Sequence, residues 1–268
     1  MSDEYFEKYS GLIFERREHG ILWITINRPE VMNATDAPLH NALSRVWNDI
    51  SDDDDTSVVV ITGAGRTFSA GGDLDWIQTM VNNYDGMKVA FKEAGDLVYN
   101  MINCEKIIIS AINGVAVGAG LAVALMADIS IIAEDARFTD GHIRLGVAAG
   151  DHANILWPLL CGMAKAKYYL ITADFIDGKT ADDIGLVSKS VPADQLLDEA
   201  MAVATKLATG AQDAQRMTKR ALNLWLSQSA PAFDASLAFE MLNFMGTDVR
   251  EGATAIQEGR APNFPSAR

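Results

Sequence analysis

The sequence predicts an α/β fold in which a glycine-rich turn follows each of two apolar strands. The first strand covers 58–62 and leads into a turn at 68–74; the second covers 107–112 and leads into a turn at 113–120. Helical patterns follow both turns. Strand and helix patterns alternate up to about residue 150, which indicates parallel crossovers, whereas helical patterns dominate afterwards.

The N-terminal part predicts a hairpin followed by a capped helix. Two apolar segments within 12–27 flank a turn at His19 and Gly20. Asp36 can cap the next helix, whose apolar face is formed by Leu39, Leu43, Val46 and Ile50. The acidic run at 52–55 is interpreted as a solvated helix end before the 58–62 strand.

The remaining elements follow from the same periodicities. In the α/β part we expect helices at 73–81, 85–103 and 118–126 and a strand at 129–133. In the C-terminal part we expect one extended segment, 186–190, among helices at 152–161, 164–171, 180–184, 193–209, 212–228, 231–244 and 247–258. We divide the chain into an α/β core, 1–195, and a C-terminal helical oligomerisation region, 196–268. The apolar faces of that region exceed what one thin layer needs, so some are expected to pack on another subunit.

Composition narrows the function classes. The chain of 268 residues has 22 basic and 36 acidic residues, and this net charge of −14 disfavours a nucleic-acid partner. The uncharged stretch 107–127 is better interpreted as a buried strand, turn and helix than as a membrane span. Two cysteines without a paired motif and an acidic, polar N-terminus without signal-peptide character lead us to expect a cytoplasmic protein.

The two glycine-rich turns indicate a type of chemistry. Such turns leave backbone N–H groups unpaired, and two of them together can hold an oxyanion between two amides. Neither turn carries a nucleophile or a metal ligand, and no metal is predicted. The pair therefore predicts a site that stabilises an enolate or a tetrahedral anion, with the proton chemistry supplied from elsewhere.

The chain resembles the crotonase superfamily, the enoyl-CoA hydratase/isomerase fold, over nearly its whole length. The matching segments are Asn27-Arg28-Pro29 with Asn33-Ala34, Phe68-Ser69-Ala70-Gly71-Gly72-Asp73-Leu74, Ala111-Ile112-Asn113-Gly114 through Gly118-Ala119-Gly120, Ala127-Asp128-Ile129, Gly185-Leu186-Val187 and Arg260-Ala261-Pro262-Asn263-Phe264. Each segment alone is a weak signal, whereas their order and spacing together are specific.

The resemblance implies a repeated ββα spiral core with a C-terminal helical trimerisation region, and a trimer or a dimer of trimers. It implies an acyl-CoA substrate, with coenzyme A as part of the substrate and no permanently bound cofactor. The thioester oxygen would accept hydrogen bonds from the backbone N–H groups of Ala70 and Ala119. The coenzyme A portion would be bound near residues of the first turn and two arginines: Arg28, Arg66, Ala70, Gly71, Asp73 and Leu74. Both arginines could instead be ordinary surface residues, and Asp73 could serve only as a helix cap.

The sequence departs from the family where hydratases carry a pair of glutamates that position and activate water. These positions hold Ala122 and His142 here. Neither residue reproduces paired carboxylates, so the usual addition of water by a glutamate pair is in doubt.

What remains near that point is His142 and, nine residues on, Asp151. This spacing resembles the β-diketone hydrolase branch of the superfamily, typified by 6-oxocamphor hydrolase. In such a pair the carboxylate fixes the imidazole tautomer and raises its basicity, and the imidazole activates water. Alternatively, Asp151 caps a helix starting near 152 and His142 is a hydrogen-bonded loop residue. We expect His152 on a helix surface and keep Asp140 as a competing carboxylate.

Three functions therefore stay open. The intact turns favour an acyl-CoA hydratase or isomerase of this family. Of these two, the hydratase, which is a lyase, is the preferred interpretation. The His142 and Asp151 pair favours a hydrolase that cleaves a carbon–carbon bond of a β-diketone or a cyclic β-keto acyl-CoA. Loss of both glutamates would also fit a scaffold that only binds acyl-CoA. The region 76–104, rich in methionine and aromatic residues, fits either a bulky acyl group or core packing.

Overall fold

The computed structural model describes residues 3–267 and shows two sheets wrapped by helices. The strands are β1 (Leu12–Arg17), β2 (Ile21–Ile26), β3 (Val58–Gly63), β4 (Thr67–Ser69), β5 (Ile107–Ile112), β6 (Val115–Val117), β7 (Ile129–Ala133), β8 (Arg137–Thr139), β9 (Ile176–Asp177) and β10 (Lys189–Val191). The helices are α1 (Ala37–Ser51), α2 (Leu74–Met80), α3 (Tyr84–Asn103), α4 (Gly118–Met126), α5 (His142–Leu145), α6 (Ala153–Leu160), α7 (Gly162–Thr172), α8 (Gly178–Asp183), α9 (Leu196–Ala208), α10 (Gln212–Gln228), α11 (Ala230–Asn243) and α12 (Asp248–Glu258).

The larger sheet has six strands in the order β1-β2-β3-β5-β7-β10. Its first pair, β1 and β2, is the antiparallel hairpin expected from the sequence, and the other pairs are parallel. Every residue of β3 and β5 is buried, as expected for parallel strands covered on both faces. Helix α9 packs against this sheet, so Leu196, Ala200 and Ala204 lie in the main core.

The strands of the smaller sheet, with the order β4-β6-β8-β9, were not among the elements predicted from periodicity, although the resemblance implied a second strand in each ββα unit. Strands β4, β6 and β8 have only three residues each, too few to show a periodicity. Each follows a long strand of the larger sheet after a tight turn and precedes a helix. The chain therefore forms the ββα unit three times, as β3-β4-α2, β5-β6-α4 and β7-β8-α5, which confirms the α/β spiral core.

Two sequence interpretations are wrong in detail. The acidic run is not wholly solvated, because Asp53 is completely buried and its carboxylate lies 3.0 Å from the guanidinium of Arg16. The extended segment predicted at 186–190 forms a strand only at Lys189–Val191. In contrast, the Asp36 carboxylate accepts a hydrogen bond from the Leu39 N–H at 3.0 Å, which confirms the predicted cap of α1.

The second glycine-rich turn is tied to the chain just before the first turn by the side chain of Asn113, and it packs closely against the first turn itself. The Asn113 amide donates to the carbonyls of Gly63 and Gly65 at 2.9 and 3.0 Å. A Cβ atom on Gly120 would lie 2.3 Å from the Cβ of Ser69, so only glycine allows α4 to approach the first turn this closely. The two turns are thereby fixed against each other at one end of the sheets.

Candidate active site

A cavity of about 690 Å³ opens where the two glycine-rich turns meet. Its wall includes Ala70 from the first turn and Ala119 from the second, together with residues of α2, α5 and α11. A second cavity of about 680 Å³ lies under α10, so volume alone does not select the site. The first cavity is the candidate because it brings both turns together with a group of buried ionisable side chains.

The second turn presents a backbone donor to this cavity. Helix α4 begins at Gly118, whose N–H donates to the Asp140 carbonyl at 3.2 Å. Among the described residues, none accepts a hydrogen bond from the Ala119 N–H. The first turn of a helix leaves such groups unpaired, and the helix dipole favours negative charge there. The Ala119 amide is therefore suited to an oxyanion.

The first turn differs from the arrangement that the resemblance implies. The Ala70 N–H donates to the Met32 carbonyl at 3.0 Å, so this amide already has an acceptor. Met32 and Asn33 both have left-handed backbone conformations, with φ of 54° and 56°, which are uncommon for residues other than glycine. A role for Ala70 as the second oxyanion donor stays a prediction, and it requires this hydrogen bond to open.

His142 is the first residue of α5 and lies at the centre of the buried cluster. Its Nδ1 lies 2.9 Å from an Asp140 carboxylate oxygen. Its Nε2 lies 3.7 Å from the Asp151 carboxylate and 3.5 Å from the Glu240 carboxylate. The cluster is completed by His152, whose Nδ1 lies 2.6 Å from the other Asp151 oxygen. The structure therefore brings His142 and Asp151 together, as the sequence predicted, and adds three ionisable neighbours.

Two of the alternatives for this region are excluded. Asp151 does not cap α6: the residue at the N-terminus of that helix is His152, and the Asp151 carboxylate is paired with the imidazoles instead. The expectation that His152 lies on a helix surface is wrong, because its side chain is completely buried. Asp140 was kept as a competing carboxylate, and it contacts His142 more closely than Asp151 does.

Glu240 reaches the cluster from α11, far along the chain. A Cβ on Gly150 would lie 2.6 Å from the Glu240 Cβ, so glycine is needed where the loop before Asp151 passes α11. The Ser236 hydroxyl donates to the Gly150 carbonyl at 3.0 Å and holds the loop on the helix. Sequence reasoning missed Glu240, although a signal exists: it lies seven residues after Phe233 and three after Leu237, on the buried face of α11.

The charges of the cluster depend on one another. Burial alone would lower the pKa of His142, but the carboxylates of Asp140, Asp151 and Glu240 outweigh it and raise that pKa well above 6.5. Burial favours a raised pKa for Asp151, yet the two imidazoles hold it below its ordinary value. Burial dominates at Glu240 and raises its pKa. At neutral pH the site therefore holds an imidazolium beside an ionised Asp151.

The same groups have the composition of a cation site. The ligand atoms of His142, Asp151 and Glu240 lie within 4.8 Å of one another, as do those of Asp140, Asp151 and His152. Within residues 6–267, three buried atoms of this cluster lack a hydrogen-bond partner: Asp140 Oδ2, His152 Nε2 and Glu240 Oε2. A divalent cation could be bound by such atoms. The protonated imidazole already supplies positive charge between the carboxylates.

The glutamate positions of hydratases are occupied as the sequence indicated. Ala122 lies on α4 in the main hydrophobic core and is 2% exposed, so this position offers no group for proton transfer. His142 holds the second position, and its role in proton transfer stays a prediction.

Three of the six residues predicted to bind coenzyme A line the cavity: Ala70, Asp73 and Leu74. The Asp73 carboxylate also accepts a hydrogen bond from the Asp75 N–H at the start of α2. Arg28 lies 3.1 Å from the Asp36 carboxylate and 3.7 Å from that of Asp73. Its charge is thus already paired within the loops.

The other three residues of that set, Arg28, Arg66 and Gly71, are not part of the cavity wall. Arg66 is exposed on the turn between β3 and β4. Gly71 has a φ of 89° and packs against the backbone of Val117. This contact joins the first turn to β6. Their roles toward coenzyme A stay predictions.

Comparison with known proteins identifies the family. The model of the enoyl-CoA hydratase/isomerase family matches residues 16–267. The chain belongs to the enoyl-CoA hydratase/isomerase family. A crotonyl-CoA hydratase of Syntrophomonas wolfei is 33% identical over 96% of this chain and 99% of its own length.

Solved structures of this fold include two kinds of enzyme. An enoyl-CoA hydratase/isomerase from Mycobacterium paratuberculosis has a TM-score of 0.87 and 33% identity, with 91% of this chain and 98% of that chain covered. A β-diketone hydrolase from the cyanobacterium Anabaena, bound to (S)-3-oxocyclohexyl acetic acid, has a TM-score of 0.84 and 29% identity, with 93% and 99% covered. Family and fold therefore leave the reaction open, and the groups within the site determine it.

Within the described residues 3–267, no helix is both long and apolar enough to cross a membrane.

Proposed function

We propose that the protein transforms an acyl-CoA thioester through an enolate that is stabilised by the Ala119 N–H, with His142 as the proton-transfer group. The observation that carries this proposal is that an amide without an acceptor and a buried imidazole line one cavity. Hydration of a 2-enoyl thioester is the reaction that we favour. Double-bond isomerisation is the alternative that would use the same enolate.

The cluster can supply each proton that hydration needs. Water adds its hydroxyl to the β-carbon and gives up a proton, which a carboxylate of the cluster accepts. The electrons of the double bond move to the thioester oxygen, and the resulting enolate takes a proton from His142 at its α-carbon. Transfer of the proton from the carboxylate to the imidazole restores the site. Such general acid–base catalysis typically contributes ~10²–10⁴-fold to the rate.

Stabilisation of the enolate by backbone N–H groups should contribute to the rate about as much as acid–base catalysis does. Loss of one donor to an oxyanion typically reduces kcat by ~10²–10³-fold. Ala119 can act as the structure stands, whereas Ala70 has to exchange its hydrogen bond to Met32 for one to the thioester. Binding of the coenzyme A portion, which Arg28, Arg66, Gly71, Asp73 and Leu74 would support, can contribute the free energy for that exchange.

The proposal is tested by a panel of 2-enoyl-CoA thioesters of increasing chain length, followed by the loss of enone absorbance. We expect turnover by the wild type and a loss of at least ~10²-fold for His142→Gln. Binding of coenzyme A thioesters by that variant, measured by calorimetry, should be unchanged. Absence of turnover across the whole panel would contradict the proposal.

Cleavage of a carbon–carbon bond is the second candidate, and the His142–Asp151–Glu240 cluster favours it. Water deprotonated by the cluster would add to a ketone carbonyl of a β-diketone or a cyclic β-keto acyl-CoA. The carbon–carbon bond would then break, leaving a carboxylic acid and an enolate that is protonated at carbon. Mass spectrometry in ¹⁸O-labelled water distinguishes this reaction, since the label enters a new carboxyl group. Full activity of His142→Ala in that assay would exclude this mechanism.

We also infer that the chain functions as a homotrimer or a dimer of trimers, with 196–268 as the region of assembly. Some apolar residues of this region pack internally, including Phe233, Leu237 and Phe244. Others are more than half exposed: Met217, Leu222, Leu224, Trp225, Phe239 and Leu242. Such a set supports an interface between subunits. Light scattering after size-exclusion chromatography gives the mass, and a monomer at micromolar concentration would contradict this inference.

A further inference from the structure

Another buried histidine, His40 on α1, lines the same cavity but is not in contact with His142. It is only 5% exposed, and its ring lies 4.9 Å from that of Trp76 on α2. Its Nδ1 lies 2.7 Å from the carboxylate of Glu93 on α3. The Asn41 amide donates to the other oxygen of that carboxylate at 2.7 Å.

This pairing fixes the orientation of the imidazole. Burial alone raises the pKa of Glu93, but the hydrogen bonds from His40 and Asn41 outweigh it and bring that pKa below its ordinary value. The carboxylate is therefore ionised at neutral pH and holds Nδ1 of His40 as a hydrogen-bond donor. The other ring nitrogen, Nε2, has no hydrogen-bond partner among residues 6–267.

The cavity that His40 lines also has an apolar part, formed by side chains of α2 and α3: Trp76, Ile77, Met80, Ala90 and Ala94. Of these, Trp76 contacts the His40 ring, and the Asp151 carboxylate interacts with His40 electrostatically. If the ligand at this wall were only a hydrocarbon chain, it would displace water from Nε2 of His40 without replacing the lost hydrogen bond. Leaving a buried polar group without a partner costs free energy and would weaken binding. A ligand oxygen placed at Nε2 would remove that cost.

We propose that Nε2 of His40 forms a hydrogen bond with an oxygen of the acyl group other than the thioester carbonyl, and that the acyl group of the substrate carries an oxo or a hydroxyl group in addition to the bond that reacts. His40 is then a residue that determines specificity, oriented by Glu93 and Asn41. The inference rests on the proposed function, because it assumes that the acyl group of a coenzyme A thioester fills this cavity. A carbonyl oxygen would accept from a protonated Nε2, whereas a hydroxyl could donate to an unprotonated one.

Pairs of saturated acyl-CoA ligands test the proposal directly. Each pair has one carbon skeleton, with and without an oxo or a hydroxyl group, and binding is measured by calorimetry. We expect the wild type to bind one oxygenated member about 10- to 100-fold more tightly, the size of one hydrogen bond between buried groups. His40→Leu should abolish this preference while binding of the plain member stays the same, and His40→Gln should restore part of it. Whether the oxo or the hydroxyl member is preferred identifies the oxygen.

His19→Asn is the matched control, since His19 lies in the β1–β2 turn with φ of 63°, a conformation that asparagine tolerates. Equal affinity of the wild type for both members of every pair would overturn the role of His40. An equal loss for both members in His40→Leu, with His40→Gln no better, would show a purely structural residue and would also overturn it. If the wild type bound no acyl-CoA at all, the proposed function itself would fail.

Discussion

Replacement of Asp151 by asparagine should weaken catalysis through the protonation of His142. The substitution preserves the shape of the side chain, and its amide oxygen can still accept a hydrogen bond from His152. It removes a negative charge that lies 3.7 Å from Nε2 of His142. The pKa of His142 then falls, because one of the carboxylates that stabilise the imidazolium is lost.

The magnitude follows from the distance. Two unit charges about 4 Å apart attract each other by ~4 kcal/mol at an effective dielectric constant of 20. The carboxylates of Asp140 and Glu240 still stabilise the imidazolium in the variant. Loss of Asp151 therefore destabilises the imidazolium by ~4 kcal/mol at most. With ~1.4 kcal/mol for each factor of ten, we expect kcat above neutral pH to fall by between ~10-fold and ~10³-fold.

Two measurements check this prediction. In a histidine NMR titration the His142 signal, assigned with His142→Gln, should titrate at lower pH in Asp151→Asn than in the wild type. In the pH–rate profile, the loss of activity on the alkaline side should move to lower pH, and acidification should restore part of kcat. The exposed Asp194→Asn is the control and should change neither quantity. An unchanged titration of His142 would refute the charge arrangement of the cluster.

Three further substitutions test other parts of the structure. Gly120→Ala introduces a methyl group 2.3 Å from the Cβ of Ser69 and separates the two turns, so kcat should fall by ~10²-fold in steady-state assays. Lys219→Met removes the partner of Asp128, whose carboxylate lies 2.7 Å from the buried ammonium group, and denaturant unfolding should show a loss of ~3–5 kcal/mol. The pKa of His142 is higher in the folded protein than the value of ~6.5 expected in the unfolded chain. Protonation of His142 therefore stabilises the folded state fully below pH ~6.5, and this stabilisation is lost as pH rises through the folded-state pKa. The unfolding free energy of the wild type relative to His142→Gln should therefore decline between these two pKa values.

Each of these predictions has a control or a contradicting outcome. Gly95→Ala lies within α3 with its nearest neighbour 3.9 Å from the new Cβ, and it should leave kcat unchanged. Unaltered activity of Gly120→Ala would show that the turns can separate without consequence. Adding Asp128→Asn to Lys219→Met should recover part of the lost stability, and no recovery would contradict the buried pair as the cause. A pH-independent difference between the wild type and His142→Gln would contradict the raised pKa.

The sequence was sufficient for features that local chemistry determines. The long strands, the Asp36 cap and the glycine-rich turns each depend on neighbouring residues, and the structure shows them where they were expected. For these features residue type and periodicity carry enough information because the determining contacts are within or between adjacent elements. The resemblance to the β-diketone hydrolase branch, rather than local chemistry, led to the expectation that His142 and Asp151 share one site, and their side chains lie 3.7 Å apart.

Other features depend on contacts between distant parts of the chain. The short strands of the smaller sheet form only because the larger sheet places them side by side. Glu240 looks like one of many acidic helix residues until α11 is packed on the loop at Gly150. The hydrogen bond from Ala70 to Met32 depends on how two separate loops meet. Burial of His152 likewise follows from tertiary packing, because its neighbours in the sequence give no sign of it.

In the proposed reaction the Ala119 amide stabilises an enolate of an acyl-CoA thioester, and His142 gives that enolate its α-proton. Exchange of the α-protons of a saturated acyl-CoA in D₂O, followed by proton NMR, measures this step whatever the complete reaction is. We expect exchange with the wild type and a loss of at least ~10²-fold with His142→Gln, which should still bind the thioester. Absence of exchange with the wild type on every acyl-CoA that it binds would contradict the claim.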